Sequence, residues 1–91
     1  MFKSLEDLIS VIRQRKESTI EESYTKKLLN NQNLNIEKVK EEIGELFEAI
    51  ENNTNKIHEA ADVMFHLMVL LEANGIKIED VMKELKNRQK N

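Results

Sequence analysis

Residues 56–73 read KIHEAADVMFHLMVLLEA, and this stretch decides the fold. It is long and free of Pro and Gly, so it predicts a helix that ends at Gly75 as its C-terminal cap. Beyond Glu59 this helix is apolar on nearly every side and must therefore be covered on nearly every side. A chain of 91 residues has little interior to provide that cover. The stretch therefore predicts a partner chain, most simply a second copy in a homodimer.

Apolar residues elsewhere in the chain also recur at helical spacing. Further helices are predicted over residues 4–17, 23–30, 36–51 and 78–89. Ser4 and Asp7 resemble a capping box, and Asn35, at the end of an Asn-rich loop, is placed to cap the following helix. The sequence therefore predicts an all-α fold, a four- to five-helix bundle in one domain over residues 1–91.

Composition excludes several classes of protein. The chain has no Cys, which excludes disulfides and thiolate metal sites. Its net charge of −3 gives no basic surface for nucleic acid. The longest apolar run, residues 60–73, is too short and too interrupted by polar residues to span a membrane, and the N-terminus does not read as a signal peptide. We therefore expect no nucleic-acid or membrane partner and a cytoplasmic location.

Two pairs of acidic residues lie beside the predicted core. They are Glu42 with Glu45, and Glu59 with Asp62, each three residues apart. Helices joined by a short turn pack antiparallel, so the two acidic faces can meet. Converging carboxylates repel each other unless a cation is present, and oxygen ligands suit Mg²⁺, with Mn²⁺ as an alternative. Such an ion also takes phosphate oxygens, which indicates attack on a phosphoanhydride. The alternative interpretation is a pair of solvated acidic surfaces.

Other metal sites fit the sequence less well. The zinc motif HExxH is absent because Asp62 stands where its second His belongs, and no Glu has a His three positions later as di-iron bundles require. We expect His66 to pair with Asp62 one turn away and His58 to be a surface residue. Basic residues around Tyr24 can serve a triphosphate substrate, or can simply complement a helix C-terminus.

Three segments carry a resemblance to a known family. They are RQRKESTIEESYTKKLL at 13–29, KVKEEIGEL at 38–46 and HEAADVMFHLMVLLEANGIKIEDVMKEL at 58–85. Together they resemble phosphoribosyl-ATP pyrophosphohydrolase, one of the MazG-like, all-α NTP pyrophosphohydrolases. The resemblance implies a helical homodimer that depends on Mg²⁺. It also implies hydrolysis of the α–β phosphoanhydride of phosphoribosyl-ATP to phosphoribosyl-AMP and pyrophosphate, in histidine biosynthesis.

The resemblance also implies roles for individual residues. Glu41, Glu42 and Glu45 match a Glu-Glu-x-x-Glu motif, and Glu59 with Asp62 matches Glu-x-x-Asp. By analogy, the metal ligands are Glu42, Glu45, Glu59 and Asp62, and the catalytic residues are Glu41, Glu42 and Glu45. Glu41 would then orient water rather than bind metal. The implied contacts to phosphate or ribose are Arg15, Lys16, Ser23, Tyr24 and Thr25.

The chain departs from the family pattern beside the first acidic pair. Lys40 stands where the family has glycine, and EEIGELFEAI at residues 41–50 is more typical of general MazG-like proteins. This keeps open a house-cleaning (d)NTP pyrophosphohydrolase as an alternative function. A helical dimerisation module without catalysis is an alternative from a different class.

Overall fold

The computed structural model describes residues 2–17 and 23–89, and helices dominate both ranges. The helices are α1 (Lys3–Glu17), α2 (Tyr24–Leu29), α3 (Gln32–Asn52), α4 (Lys56–Ala73) and α5 (Ile78–Arg88). The described residues contain no strand, so the predicted all-α class is confirmed. None of the helices in these ranges is both long enough and apolar enough to cross a membrane.

Helices α3 and α4 form the most extensive helix pair in the fold. The short connection between them places Asn53 (φ 55°) and Asn55 (φ 45°) in the left-handed region. Asparagine tolerates this conformation better than most residues, because its short polar side chain can satisfy nearby backbone groups. The tight turn makes the two helices antiparallel neighbours, which sets the acidic segment of α3 against the start of α4.

The core lies where α1 and α2 pack against the second half of α4. Its buried members are Ile9, Ile12, Leu28, Met68 and Val69. Leu28 anchors the short helix α2 against α4, since it is fully buried within this cluster. The core therefore fixes the position of Tyr24, the first residue of α2, relative to the middle of α4.

The two predicted N-terminal caps, Ser4 and Asn35, were wrong. Ser4 lies inside α1, and the amides of Leu5 and Glu6 donate to the carbonyl of Phe2 instead. Helix α3 begins a turn earlier than predicted, because the side chain of Asn31, not Asn35, accepts from the Leu34 amide at 3.1 Å. The earlier start lets Leu34, taken as part of a loop, pack against the core cluster as a helical residue.

The apolar residues that recur at helical spacing along α3 are only partly buried. Val39 is buried, but three members at helical spacing face outward: Ile43, Phe47 and Ile50. Phe47 is 59% exposed and Ile50 56% exposed. We call these three residues the outer stripe. The buried face instead includes Glu42. Met64 on α4, which the helix-wide apolar pattern also predicts to be covered, is 47% exposed.

Candidate active site

Three acidic residues of α3 form the first half of the site. Carboxylate oxygens of Glu41, Glu42 and Glu45 lie within 4.8 Å of one another. The spacing of the helix produces this grouping, because residues three and four positions apart share a face. Glu42 is only 8% exposed, whereas Glu41 and Glu45 are open to solvent.

The first turns of α4 form the second half. Ligand atoms of His58, Glu59 and Asp62 also lie within 4.8 Å of one another. His58 is exposed, as predicted, but its Nε2 lies 3.4 Å from Asp62 Oδ2. His58 therefore belongs to the acidic cluster, and its i, i+4 spacing to Asp62 is the sequence signal that could have placed it there.

Glu45 of the first half and Glu59 of the second line one cavity, so the two halves face each other. The pKa of Glu42 is raised to about 7, first by burial, then by its contact with Glu45, and then by the charges of Asp62 and Glu59. Burial also raises the pKa of Glu59, and the Glu45 charge adds to that rise. Carboxylates of α3 and α4 thus disfavour each other's ionised forms. The structure brings together all five acids that the sequence singled out.

Two oxygens of this acidic cluster are buried without a partner. Glu42 Oε2 and Glu59 Oε2 accept no hydrogen bond from any group in the described ranges. Buried polar atoms are normally paired, so these oxygens call for an unseen partner. A hard divalent cation fits this donor set, because it prefers carboxylate oxygens and would offset their mutual repulsion.

His66 connects the cluster to α2. It is buried, its Nδ1 lies 2.8 Å from the backbone carbonyl oxygen of Asp62, and its Nε2 lies 3.0 Å from the Tyr24 hydroxyl. The expected contact with Asp62 is therefore made through the backbone, while the carboxylate of Asp62 is turned towards His58. Tyr24 also stacks beside Phe65, with ring centroids 6.3 Å apart.

The other candidates from the Ser-Tyr-Thr element serve the local fold. Ser23 Oγ accepts a hydrogen bond from the Lys26 amide at 3.0 Å and so caps α2. Thr25 is buried. Of the three, Tyr24 is the most exposed, at 47%, and its hydroxyl contacts His66, which in turn contacts the backbone of Asp62.

The basic residues of α1 lie at the far end of α4 from the acids. Arg13 binds Glu72 and Glu79 at 2.9 and 2.7 Å, and Lys16 Nζ donates to the Glu72 carbonyl at 2.7 Å. Glu72 follows Asp62 by almost three helical turns, or about 15 Å of helix. The ammonium of Lys16 is therefore remote from the acids in this chain, and Arg15 is exposed in the last turn of α1.

Lys38 is a cation at the site that the sequence analysis missed. Its Nζ lies 3.5 Å from Glu41 Oε2. The pKa of Lys38 is raised above its usual 10.5, first by the charge of Glu41 and next by Tyr24. Lys38 precedes Glu41 and Glu42 by three and four positions, and this spacing alone could have identified it.

The positions that depart from the family pattern are peripheral. Lys40 is exposed, with its Nζ 3.8 Å from Glu37 of the same helix. A side chain added at Gly44 would meet no atom within 4 Å. Neither position constrains the acidic cluster.

Comparison with known proteins agrees with these features. Residues 5–89 match the family model described as phosphoribosyl-ATP pyrophosphohydrolase. A phosphoribosyl-ATP pyrophosphatase from Leptospira biflexa is 42% identical over 87 residues, covering 92% of this chain and 91% of that protein.

Two longer relatives are named histidine biosynthesis bifunctional protein. The protein from Arabidopsis thaliana is 39% identical over 93% of this chain, and the one from Pyrococcus furiosus is 41% identical over 94%. The chain spans 32% and 41% of their respective lengths. The family model and the L. biflexa relative each cover most of the chain, and so the chain belongs to the phosphoribosyl-ATP pyrophosphohydrolase family.

Proposed function

We propose that this chain hydrolyses phosphoribosyl-ATP to phosphoribosyl-AMP and pyrophosphate, as a cytoplasmic enzyme of histidine biosynthesis. The convergence of the α3 and α4 carboxylates, in a chain of this family, carries the proposal. In a purely structural dimerisation module, a buried carboxyl group such as that of Glu42, whose ionisation is opposed by neighbouring carboxylates, would only lower stability.

The proposed metal ligands are Glu42, Glu45, Glu59 and Asp62. The unpartnered oxygens of Glu42 and Glu59 support this set, because a cation would satisfy both. Oxygen ligands favour Mg²⁺, with Mn²⁺ as the alternative. When bound, such an ion supplies charge neutralisation at phosphoryl oxygens and lowers the pKa of a bound water.

Glu41 has a separate role in the proposal. Water adds to the α-phosphorus and gives up a proton to solvent, the bond from that phosphorus to the bridging oxygen breaks, and pyrophosphate leaves with that oxygen. Glu41 is exposed beside the ligands and accepts from Lys38, so it is placed to orient the attacking water. Glu42, with a pKa of about 7, and Glu45 complete the catalytic carboxylates.

The proposed substrate contacts differ in how directly the structure supports them. Tyr24 is linked to the backbone of Asp62 through His66, and Lys38, beside Glu41, is the cation proposed for a phosphate oxygen. Arg15 is exposed in the last turn of α1 and stays in the proposed set on the family resemblance. Lys16, Ser23 and Thr25 remain in the proposed set, although their side chains already support the fold.

We also propose that the protein is a homodimer. The outer stripe exposes Phe47 and Ile50 on a helix whose opposite face is buried. A contiguous row of large apolar side chains on a small protein is typical of an interface, and a second copy would cover it symmetrically.

A substrate panel tests the proposed activity. Pyrophosphate release is measured with Mg²⁺ on phosphoribosyl-ATP, dUTP, dCTP and ATP at equal concentrations. We expect the highest kcat/KM on phosphoribosyl-ATP. Equal or greater turnover of a common nucleotide would instead assign the chain to the house-cleaning (d)NTP pyrophosphohydrolases, to which the stretch at 41–50 bears some resemblance.

A further inference from the structure

The hydrogen bonds of His66 fix the direction of the bond to Tyr24. A backbone carbonyl can only accept, so Nδ1, 2.8 Å from the Asp62 carbonyl oxygen, must carry a hydrogen. In a neutral imidazole the other nitrogen then has only a lone pair. With His66 neutral, the Tyr24 hydroxyl, 3.0 Å from Nε2, donates its single hydrogen to His66.

This arrangement decides what Tyr24 can offer to a ligand. A phenol has one hydrogen and two lone pairs. With the hydrogen held by His66, the oxygen keeps its capacity to accept but has nothing to donate. Phosphate oxygens are themselves acceptors at neutral pH, so Tyr24 cannot hydrogen-bond to a phosphate in this state.

Tyr24 is well placed to meet a ligand of the acidic cluster. Its residue surface is 47% exposed, and its hydroxyl is linked through His66 to the backbone of Asp62. On the α3 side of the acidic cluster, Lys38 Nζ lies 3.5 Å from Glu41 Oε2. A nucleotide whose phosphates lie at the carboxylates and Lys38 would bring its sugar or base within reach of this oxygen.

We propose that the Tyr24 oxygen, oriented by His66, accepts a hydrogen bond from a donor on the nucleotide, a sugar hydroxyl or a base amine, and makes no contact with phosphate. The inference rests on the proposed function and narrows it, since it assigns Tyr24 to recognition of the nucleoside part of the substrate. His66 is a positioning residue in this scheme, because it acts only through Tyr24.

The test compares wild type with Tyr24→Phe, which removes one oxygen and keeps the ring beside Phe65. A neutral hydrogen bond contributes about 0.5–1.5 kcal/mol, so we expect KM for phosphoribosyl-ATP to rise about 2- to 13-fold while kcat changes less than about twofold. Inhibition by pyrophosphate, which carries no sugar or base, should stay within about twofold of wild type.

Two competing nucleotides identify the donor. We expect Tyr24→Phe to raise the inhibition constant for AMP by about the same factor by which it raises KM. If the donor is a sugar hydroxyl, 2′,3′-dideoxy-AMP will show no such loss; if it is the amine, purine riboside monophosphate will show none. Equal losses for both analogues would overturn the proposal, as would weaker inhibition by pyrophosphate or an unchanged KM.

A measurement independent of activity checks the premise. Nitrogen-15 NMR of the imidazole reports which ring nitrogen carries the hydrogen. We expect a neutral His66 protonated at Nδ1 in wild type. Protonation at Nε2, alone or with Nδ1, would reverse the Tyr24 bond and overturn the proposal. Failure of wild type to hydrolyse phosphoribosyl-ATP would count against the proposed function, and the NMR result would still stand.

Discussion

At the scale of single residues, Glu42 gives the metal-free protein an unusual dependence on pH. Its pKa is about 7 in the fold and near 4.5 in an unfolded chain. Between these values the folded state binds more protons, so the free energy of unfolding falls as pH rises. At about 1.36 kcal/mol per pKa unit, the loss is at most about 3 kcal/mol. Urea unfolding in EDTA at about pH 5 and about pH 8 measures this difference in the free energy of unfolding.

Glu42→Gln is expected to flatten this dependence and to stabilise the metal-free protein at the higher pH. Glu51→Gln, an exposed substitution on the same helix, is the matched control and should keep the wild-type slope. Equal slopes in all three proteins would show that Glu42 ionises normally in the fold. Added Mg²⁺ should stabilise wild type more than Glu42→Gln, because it binds the ionised carboxylate.

Ser23 provides a second prediction at this scale. Ser23→Ala removes the cap of α2 and should cost about 1 kcal/mol of stability. Asn31→Ala, which removes the cap of α3, should cost a similar amount and is the control. Because α2 carries Tyr24, we expect KM to rise only in Ser23→Ala. Urea unfolding measures the stability of each variant, and steady-state kinetics measure its KM. An unchanged free energy of unfolding in Ser23→Ala would contradict the capping role of Ser23.

At the scale of elements, Arg13 ties α1 to α4 and α5. Its guanidinium lowers the pKa of Glu79 to about 2 and pairs with Glu72, whose side chain is only 10% exposed. The stability from Glu79 is therefore present above pH 4.5 and lost as pH falls towards 2. Arg13→Met should lower Tm by several degrees and speed amide exchange in α5, because Glu72 is left without its cation.

Arg88→Met is the control for the ion pairs that Arg13 makes with Glu72 and Glu79. Arg88 pairs only with Glu84 of its own helix among the described residues, and such exposed pairs contribute little. It should leave both Tm and the exchange of α5 near wild type. If Arg13→Met behaved in the same way, the contact between α1 and α5 would carry no stability.

The elements also show how far sequence reasoning reaches. Helix positions followed from apolar spacing, because that spacing reflects burial along a helix. The first residue of α3 could not be predicted from this spacing. Asn31 and Asn35 can both cap the helix, and only the packing of Leu34 decides between them. The acidic pairs were visible as spacing, but the burial of Glu42 depends on how α3 rotates against α4. Lys38 was missed because its partner, Glu41, was considered only as a residue that orients water.

At the scale of the whole molecule, the outer stripe predicts a dimer. Wild type should scatter light as twice the chain mass of 10.7 kDa, whereas Phe47→Lys should scatter as a monomer, because a buried unpaired charge is costly. Glu51→Lys on the same helix should remain dimeric. Wild type found as a folded monomer at micromolar concentration would contradict the interface.

The central claim is that the clustered carboxylates hydrolyse phosphoribosyl-ATP, and single-turnover pyrophosphate release with Mg²⁺ tests it most directly. Wild type is compared with Asp62→Asn and with Asp80→Asn, which alters an exposed acid at the start of α5. With all three proteins equally folded by circular dichroism, we expect Asp62→Asn to be slower by at least about 100-fold and Asp80→Asn to be unchanged. Equal rates in wild type and Asp62→Asn, or no release by wild type, would contradict the account.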